Sequence, residues 1–379
     1  MRRIFISSEH KSFIFRHRFV ILAFICCFQF VLIMSDEANA PDEKKPKVDE
    51  DAEETDTGSR EQTDSPTMAA NDCEEEKKEE VFSFPDSLEG FNLAFNEDGE
   101  LRDTDTKEAF VFKVKENNSY NQKRYEHIGE LITEYVYSLL ETETKLKRIY
   151  LPEDAAEDEP RSFVFASEDA LTNPDRLMLL IHGSGVVRAG QWARRLIMNN
   201  SLDNGTQLPY IKRAVKEGYG VIVTNTNFNQ DPQGRPIPLN STPDSHGQCV
   251  WDSLVQSAAA KEIAIVAHSY GGVVVTNLAL KRTEEFLSRV KAVAFTDSVH
   301  SLSMQGGTEA VQEFYSKDAR NWVSSDEPLD TPIEHRWGQN DAPLVSAGHQ
   351  KHEWTSYSAM DSVFEFFKTK MTQNEKEEL

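Results

Sequence analysis

The chain begins apolar, turns strongly acidic, and takes up regular hydrophobic patterning only past residue 81. In that last stretch two periods alternate. Tyr125, Ile128, Ile132, Tyr135 and Leu139 recur at steps of three and four, which places them on one helical face, so a helix is predicted within 121–146. Short unbroken apolar runs at 177–181, 221–224, 263–267 and 290–295 read as strands buried on both faces of a parallel sheet. Helices are predicted over 190–198, 210–216, 250–261, 272–281, 308–315 and 357–367, with Gly218 as a stop signal. Alternation adds strands at 109–114 and 162–167, a weak one at 322–323 and a last one at 343–345. Residues 227–247, rich in Asn, Pro, Gly and Ser, read as a loop. Phe82, Phe84, Leu88, Phe91 and Phe95 look like a segment that packs onto the main domain. Strands alternating with helices specify an α/β architecture, a mostly parallel sheet with helices on both faces, whose chemistry sits beyond the carboxyl ends of the strands.

Composition changes the picture at the N-terminal side. Residues 41–80 hold 16 acidic and 6 basic side chains, one valine and no aromatic ring, too little apolar surface to offset the entropy of ordering them. They read as a disordered acidic arm. A pI near 4.9 argues against direct gripping of nucleic acid, which needs clustered Lys and Arg. The nearest approach to a basic patch, Arg188, Arg194 and Arg195, reads as ordinary exposed helix positions. Cys26 and Cys27 lie in the apolar leader and Cys73 in the arm; only Cys249 falls in the folded part, so no disulfide framework or zinc spacing can be drawn. Nothing in the sequence calls for a metal or an organic cofactor.

The two ends carry address-like patterns. Basic residues up to Arg18 precede an apolar run from Phe19 to Met34, and Ala38-Asn39-Ala40 offers a small-residue cleavage site: a secretory leader, with a membrane anchor as the alternative. No permanent membrane span is expected. The final Lys376-Glu377-Glu378-Leu379 resembles an endoplasmic-reticulum retention signal, and sequons at Asn117, Asn199, Asn204 and Asn240 are compatible with that compartment. Met34 offers a second start, giving a leaderless form with Lys44-Lys45-Pro46-Lys47 as a weak nuclear-import-like cluster.

Candidate chemistry gathers at the strand ends. The apolar run 263–267 leads straight into His268-Ser269-Tyr270-Gly271-Gly272 and then a helical segment. That is the strand–Ser–helix turn of an α/β-hydrolase, in which a strained backbone lifts the hydroxyl above the sheet and glycines allow strand and helix to approach. Ala267 replaces the usual first glycine at the cost of one methyl. A serine that merely caps the next helix is the plainer reading, but a cap needs no glycines at those spacings. His182-Gly183-Ser184-Gly185, after the strand at 177–181, stands where such enzymes place one oxyanion amide; Gly183 and the Tyr270 amide are the candidate donors. For the acid, Asp297 follows the clearer strand, while Asp330 lies nearer the position that usually holds it. For the base, His349 and His352 both follow the last strand.

Taken together, Leu180-Ile181-His182-Gly183, the block from Val187 to Leu196, Ile211-Lys212-Arg213-Ala214-Val215, Gly218 to Val223, the elbow, Thr296-Asp297-Ser298-Val299-His300, Asn321-Trp322-Val323-Ser324-Ser325 and Lys351-His352-Glu353 with Thr355-Ser356 resemble the Arb-type domain family. That family is named for argonaute binding and includes animal cotranscriptional regulators; the likeness runs from about 82 to 367. It implies Ser269 as nucleophile and favours His352 over His349 as base. It further implies a role in argonaute and small-interfering-RNA pathways, heterochromatin silencing and alternative splicing, a nuclear and cytoplasmic location, argonaute and chromatin or splicing proteins as partners, and a presumed hydrolase activity. The alternative is a serine esterase or thioesterase of the endoplasmic-reticulum lumen. Residues 227–247 are short where some relatives carry a long charged insertion. The expected organisation is a leader at 1–40, the arm at 41–80, one Arb-type α/β-hydrolase-like domain at 81–370 and a tail at 371–379.

Overall fold

Strands β1 (Leu93–Phe95) and β2 (Leu101–Asp103) form a small antiparallel pair ahead of the main sheet. The structure, a computed structural model, describes residues 82–156, 158–334 and 341–377. The leader, the acidic arm, Met34, the Lys44-Lys45-Pro46-Lys47 cluster and the last two residues of the tail lie outside the described residues. Among the described residues eight further strands build one sheet: β3 (Lys147–Leu151), β4 (Ser162–Ala166), β5 (Arg176–Ile181), β6 (Gly220–Val223), β7 (Glu262–His268), β8 (Val290–Thr296), β9 (Ala319–Val323) and β10 (Leu344–Ser346). Their order is β3-β4-β6-β5-β7-β8-β9-β10, with β4 antiparallel to both neighbours and every other pairing parallel. This is an α/β-hydrolase-like sheet.

Alternate residues of the central strands feed two different cores. On β5, Leu177, Leu179 and Ile181 pack to one side and Met178 and Leu180 to the other. On β7, Ile263, Ile265 and Ala267 oppose Ala264 and Val266 in the same way. Burial on both faces is why these strands read as unbroken apolar runs.

The helices divide accordingly. In chain order they are α1 (Asn118–Thr142), α2 (Arg194–Asn199), α3 (Leu202–Gly205), α4 (Leu208–Lys216), α5 (Pro243–Val250), α6 (Gly271–Lys281), α7 (Thr283–Arg289), α8 (Leu302–Gln305), α9 (Glu309–Asp318), α10 (Thr355–Ser358) and α11 (Met360–Glu377). Cys249 and Val250 at the end of α5, with α6, α7 and α9, cover one face through Val275, Leu278, Phe286 and Tyr315. The C-terminal half of α1, with α4 and α11, covers the other through Leu140, Tyr210, Ile211, Phe364 and Phe367. The N-terminal half of α1 clamps the β1–β2 pair through Tyr125, Ile128 and Ile132, and Phe82, Phe84 and Phe91 cluster with Tyr120 and His127 beside it. Among the described residues no helix is long and apolar enough to cross a membrane.

Several sequence expectations need correction. Residues 109–114 form no strand; Ala109 makes a single bridge to Arg102, while Phe110 and Phe112 pack their rings near Tyr125. The stretch 227–247 is not loop throughout, because Thr242 caps a helix that starts at Pro243. The helix expected at 250–261 is instead the end of α5 and a single π turn, Trp251–Val255. The one expected at 190–198 starts only at Arg194, since Gly190 sits at φ 84° and Ala193 is extended at φ -149°. Arg194 is buried and Arg188 and Arg195 are half-buried, so none is the exposed helix position expected of it. Of the four sequons, that at Asn240 is fully buried: its Oδ1 accepts from His246 Nδ1 at 2.8 Å.

Candidate active site

The strand order reverses at β5, which has β6 on one side and β7 on the other. A crevice forms at such a point beyond the strand ends. From β5 the chain enters Gly183, and from β7 it enters Ser269.

Ser269 sits between β7 and α6 at φ 52°, a left-handed conformation that serine rarely adopts. The turn is held from behind by its own amide on Thr296 O at 3.1 Å and by Val299 N on Ser269 O at 3.3 Å. Gly271 is required by closeness alone: a Cβ there would lie 2.7 Å from Ile181 O and 2.8 Å from His182 O. Gly183 faces the nucleophile, and a Cβ on it would lie 2.9 Å from Ser269 Cβ and 3.4 Å from Oγ. Among the described residues the Gly183 and Tyr270 amides donate no hydrogen bond. Two open N–H groups flank the serine.

Asp297 follows β8 with its own left-handed φ of 47°, and its amide is anchored on Trp322 O at 2.7 Å. Its Oδ2 accepts from His352 Nδ1 at 2.9 Å. Burial alone would raise this carboxyl, but the His352 contact and hydrogen bonds from the Ser324 hydroxyl and amide outweigh it and hold the group below the usual carboxylate range. With Nδ1 donating to Asp297, the neutral imidazole presents Nε2 as a base. Among the described residues neither Ser269 Oγ nor His352 Nε2 makes a hydrogen bond, so acid and base are joined while base and hydroxyl are not.

The competing candidates are occupied elsewhere. Asp330 accepts from Trp322 Nε1 at 2.8 Å and from Ser362 Oγ at 2.7 Å. His349 stacks on Trp354 with centroids 4.9 Å apart and accepts from Lys351 N.

Three residues given no role from the sequence belong to this surround. His268 stacks on His352 with ring centroids 4.7 Å apart, and its Nδ1 donates to Thr296 O at 2.8 Å. Burial, then the nearby His352, lowers its pKa to about 3, so it stays neutral beside the base. Thr296 Oγ1 in turn bonds Ser356 Oγ at 2.7 Å, tying β8 to α10. Ser324, the third, lies in the Asn321-Trp322-Val323-Ser324-Ser325 block, and nothing in its spacing marks it as a donor to a carboxylate. A cavity of about 590 Å³ lies beside Asp297, lined by Ser298, His300, Asn321 and Ser324 among others, but not by Ser269, Gly183 or His352. Among the described residues no group of His, Cys, Asp and Glu is arranged to hold a metal ion.

The Arb2 domain profile matches residues 84–329. The chain belongs to the Arb2 domain family. Ser269, Gly183 and Asp297 fall inside the matched residues, and His352 lies beyond them. Among its relatives, the mouse "Cotranscriptional regulator ARB2A" is 46% identical over 344 residues, covering 77% of this chain and 82% of the relative. The Caenorhabditis elegans "FAM172 family protein homolog Y75B8A.31" is 39% identical over 76% of this chain and 88% of its own length. A Dictyostelium discoideum "Cotranscriptional regulator ARB2A homolog" is 31% identical over 74% and 79%. Among solved structures, the histone deacetylase Clr3 aligns with a TM-score of 0.43 at 17% identity, over 63% of this chain and 38% of that one. The residues that match the Arb2 domain thus carry, in this chain, an elbow serine, two open amides and the aspartate, while the histidine paired with it follows them.

Proposed function

We propose that this Arb2 protein is a cotranscriptional regulator that presents its hydrolase-like fold to argonaute and to chromatin or splicing proteins, in small-RNA-linked silencing and alternative splicing, and that it keeps a working Ser269–His352–Asp297 acyl-transfer site. The regulatory half is supported by the printed names of relatives such as the mouse protein. The chemical half is carried by one observation, the 2.9 Å contact from His352 Nδ1 to Asp297 beside a serine held at φ 52°.

In this reading Ser269 Oγ attacks an ester or thioester carbonyl carbon while His352 Nε2 takes the hydroxyl proton. Asp297 holds the imidazolium by its Nδ1–H. The carbonyl oxygen gains its negative charge against the Gly183 and Tyr270 amides. The carbon–leaving-group bond then breaks, His352 returns its proton to the departing alkoxide or thiolate, and water attacks the acyl-serine by the same relay in reverse. The serine–imidazole contact closes when a ligand is bound, as such contacts commonly tighten only in the complex.

Treatment with a fluorophosphonate probe tests the chemistry. Wild type labels, and Ser269→Ala and His352→Ala do not; equal labelling of all three removes the proposed relay. Expressing the same variants in cells lacking the protein tests the regulatory half. Splicing or silencing restored by Ser269→Ala assigns regulation to the surface, and failure of wild type to restore either overturns the regulatory reading.

A further inference from the structure

Two arginines are drawn against the loop that carries Gly183. Arg194 is 7% exposed; its Nη2 donates to Val186 O at 3.0 Å, and its buried Nε has no acceptor among the described residues. It packs over α1 where Gly129 leaves room, a Cβ there lying 2.7 Å from Nη1. Arg188, half-buried, donates Nη1 to Val187 O at 3.1 Å and Gly185 O at 3.4 Å. A guanidinium carries five N–H donors, so most of the ten are not used in these bonds. Among the described residues neither has a carboxylate at ion-pair distance. Glu130 on α1 acts on both only through space, its own near partner being His127 at 3.9 Å. A buried charge is ordinarily paired, and Arg194 has no ion pair among the described residues.

The backbone points the same way. Among the described residues, the amides from Gly183 to Val187 donate no hydrogen bond. The acceptors, by contrast, are taken: Asn227 Nδ2 donates to Gly183 O at 2.9 Å and to Val187 O at 3.1 Å. Open donors, tied acceptors and two guanidiniums without an ion pair among the described residues are complementary to an anion. In a chain of formal charge -23 that complementarity is local to this loop.

We propose that the loop from Gly183 to Arg188 is an anion-binding subsite adjoining Ser269, and that the ligand of this crevice carries a carboxylate or phosphate held by Arg188 and the Ser184 and Gly185 amides. As a statement about substrate class this rests on the acyl-transfer reading; the binding itself does not require Ser269 to react.

Calorimetric titration of the full chain with inorganic phosphate, and separately with acetate, is the test. Wild type and Ser269→Ala bind one anion per chain with equal affinity, and the tighter of the two probes names the oxyanion. Arg188→Gln weakens binding at least tenfold, while Arg188→Lys retains part of it. Should Arg188→Gln not fold, phenylglyoxal modification of wild type reads the same site: phosphate or acetate slows modification of Arg188 and not of Arg213. No saturable binding, Arg188→Gln binding like wild type, or no protection overturns the subsite. Anion binding without fluorophosphonate labelling ends the acyl-transfer reading and leaves the subsite, and labelling without anion binding does the reverse.

Discussion

At the scale of single residues, the conformation of Ser269 has a measurable cost. A left-handed φ costs a non-glycine residue about 1–2 kcal/mol, and glycine largely escapes it. Ser269→Gly is therefore expected to be more stable than Ser269→Ala by about 1 kcal/mol in denaturant unfolding; equal stabilities would show that the turn is unstrained. Asp297 and Asp330 separate by the same kind of measurement. Asp297→Asn removes the charge that holds His352 in its donating tautomer, and acylation of the serine is expected to slow by roughly 10⁴-fold. Asp330→Asn disturbs the hydrogen bonds to Trp322 and Ser362, so it should lower stability by about 1–2 kcal/mol and leave acylation untouched. A reversal of those two phenotypes would hand the acid role to Asp330.

At the scale of elements, the crevice depends on β5, β7 and α6 approaching closely enough that two glycines cannot carry side chains. Gly183→Ala puts a methyl 2.9 Å from Ser269 Cβ and should block labelling, at a smaller cost to the fold than a clash with two backbone carbonyls. Gly271→Ala meets backbone carbonyls instead and should destabilise by about 2–3 kcal/mol or more. Thermal melts of the two variants check the contrast. How much of this was legible in the sequence follows the same physics. Strands β5, β6, β7 and β8 were readable because burial on both faces leaves an unbroken apolar run. The edge strand β3, Lys147–Leu151, was not, since an exposed edge mixes charge with apolar residues. Phe110 and Phe112 alternate like a strand, yet they pack on α1 from irregular backbone. Pro243 read as a loop residue although it opens α5, where the missing N–H costs nothing. In the site, the elbow and the Gly183 loop were visible as motifs. The Ser324 contact and the burial of Arg194 depend on distant elements, β9 and α1, that no local pattern reports.

At the scale of the whole molecule, three histidines that are buried among the described residues tie stability to pH. Burial, the largest influence on each, lowers His182 to about 4 and His246 and His268 to about 3, from an unfolded value near 6.5. The folded state therefore refuses protons that the unfolded chain accepts. The contribution is full above pH 6.5 and is lost as pH falls toward 4, at roughly 1.4 kcal/mol per pH unit for each histidine. Unfolding free energy is expected to drop by roughly 3–4 kcal/mol between pH 7 and 5.5 from these groups. His246→Gln, which can still accept from Asn225 N, should flatten the slope by one proton. An unchanged slope would mean that His246 is not buried in its neutral form. Below pH 6.5 the folded protein keeps the network of His246 with Asn225 and Asn240, because burial holds His246 neutral.

The proposed acyl transfer requires that Ser269 become acylated. Rapid mixing with p-nitrophenyl acetate measures this directly. One nitrophenolate released per chain in a fast burst, absent from Ser269→Ala and slowed in Asp297→Asn, is the predicted result. A linear release without a burst, or a burst that persists in Ser269→Ala, would contradict it.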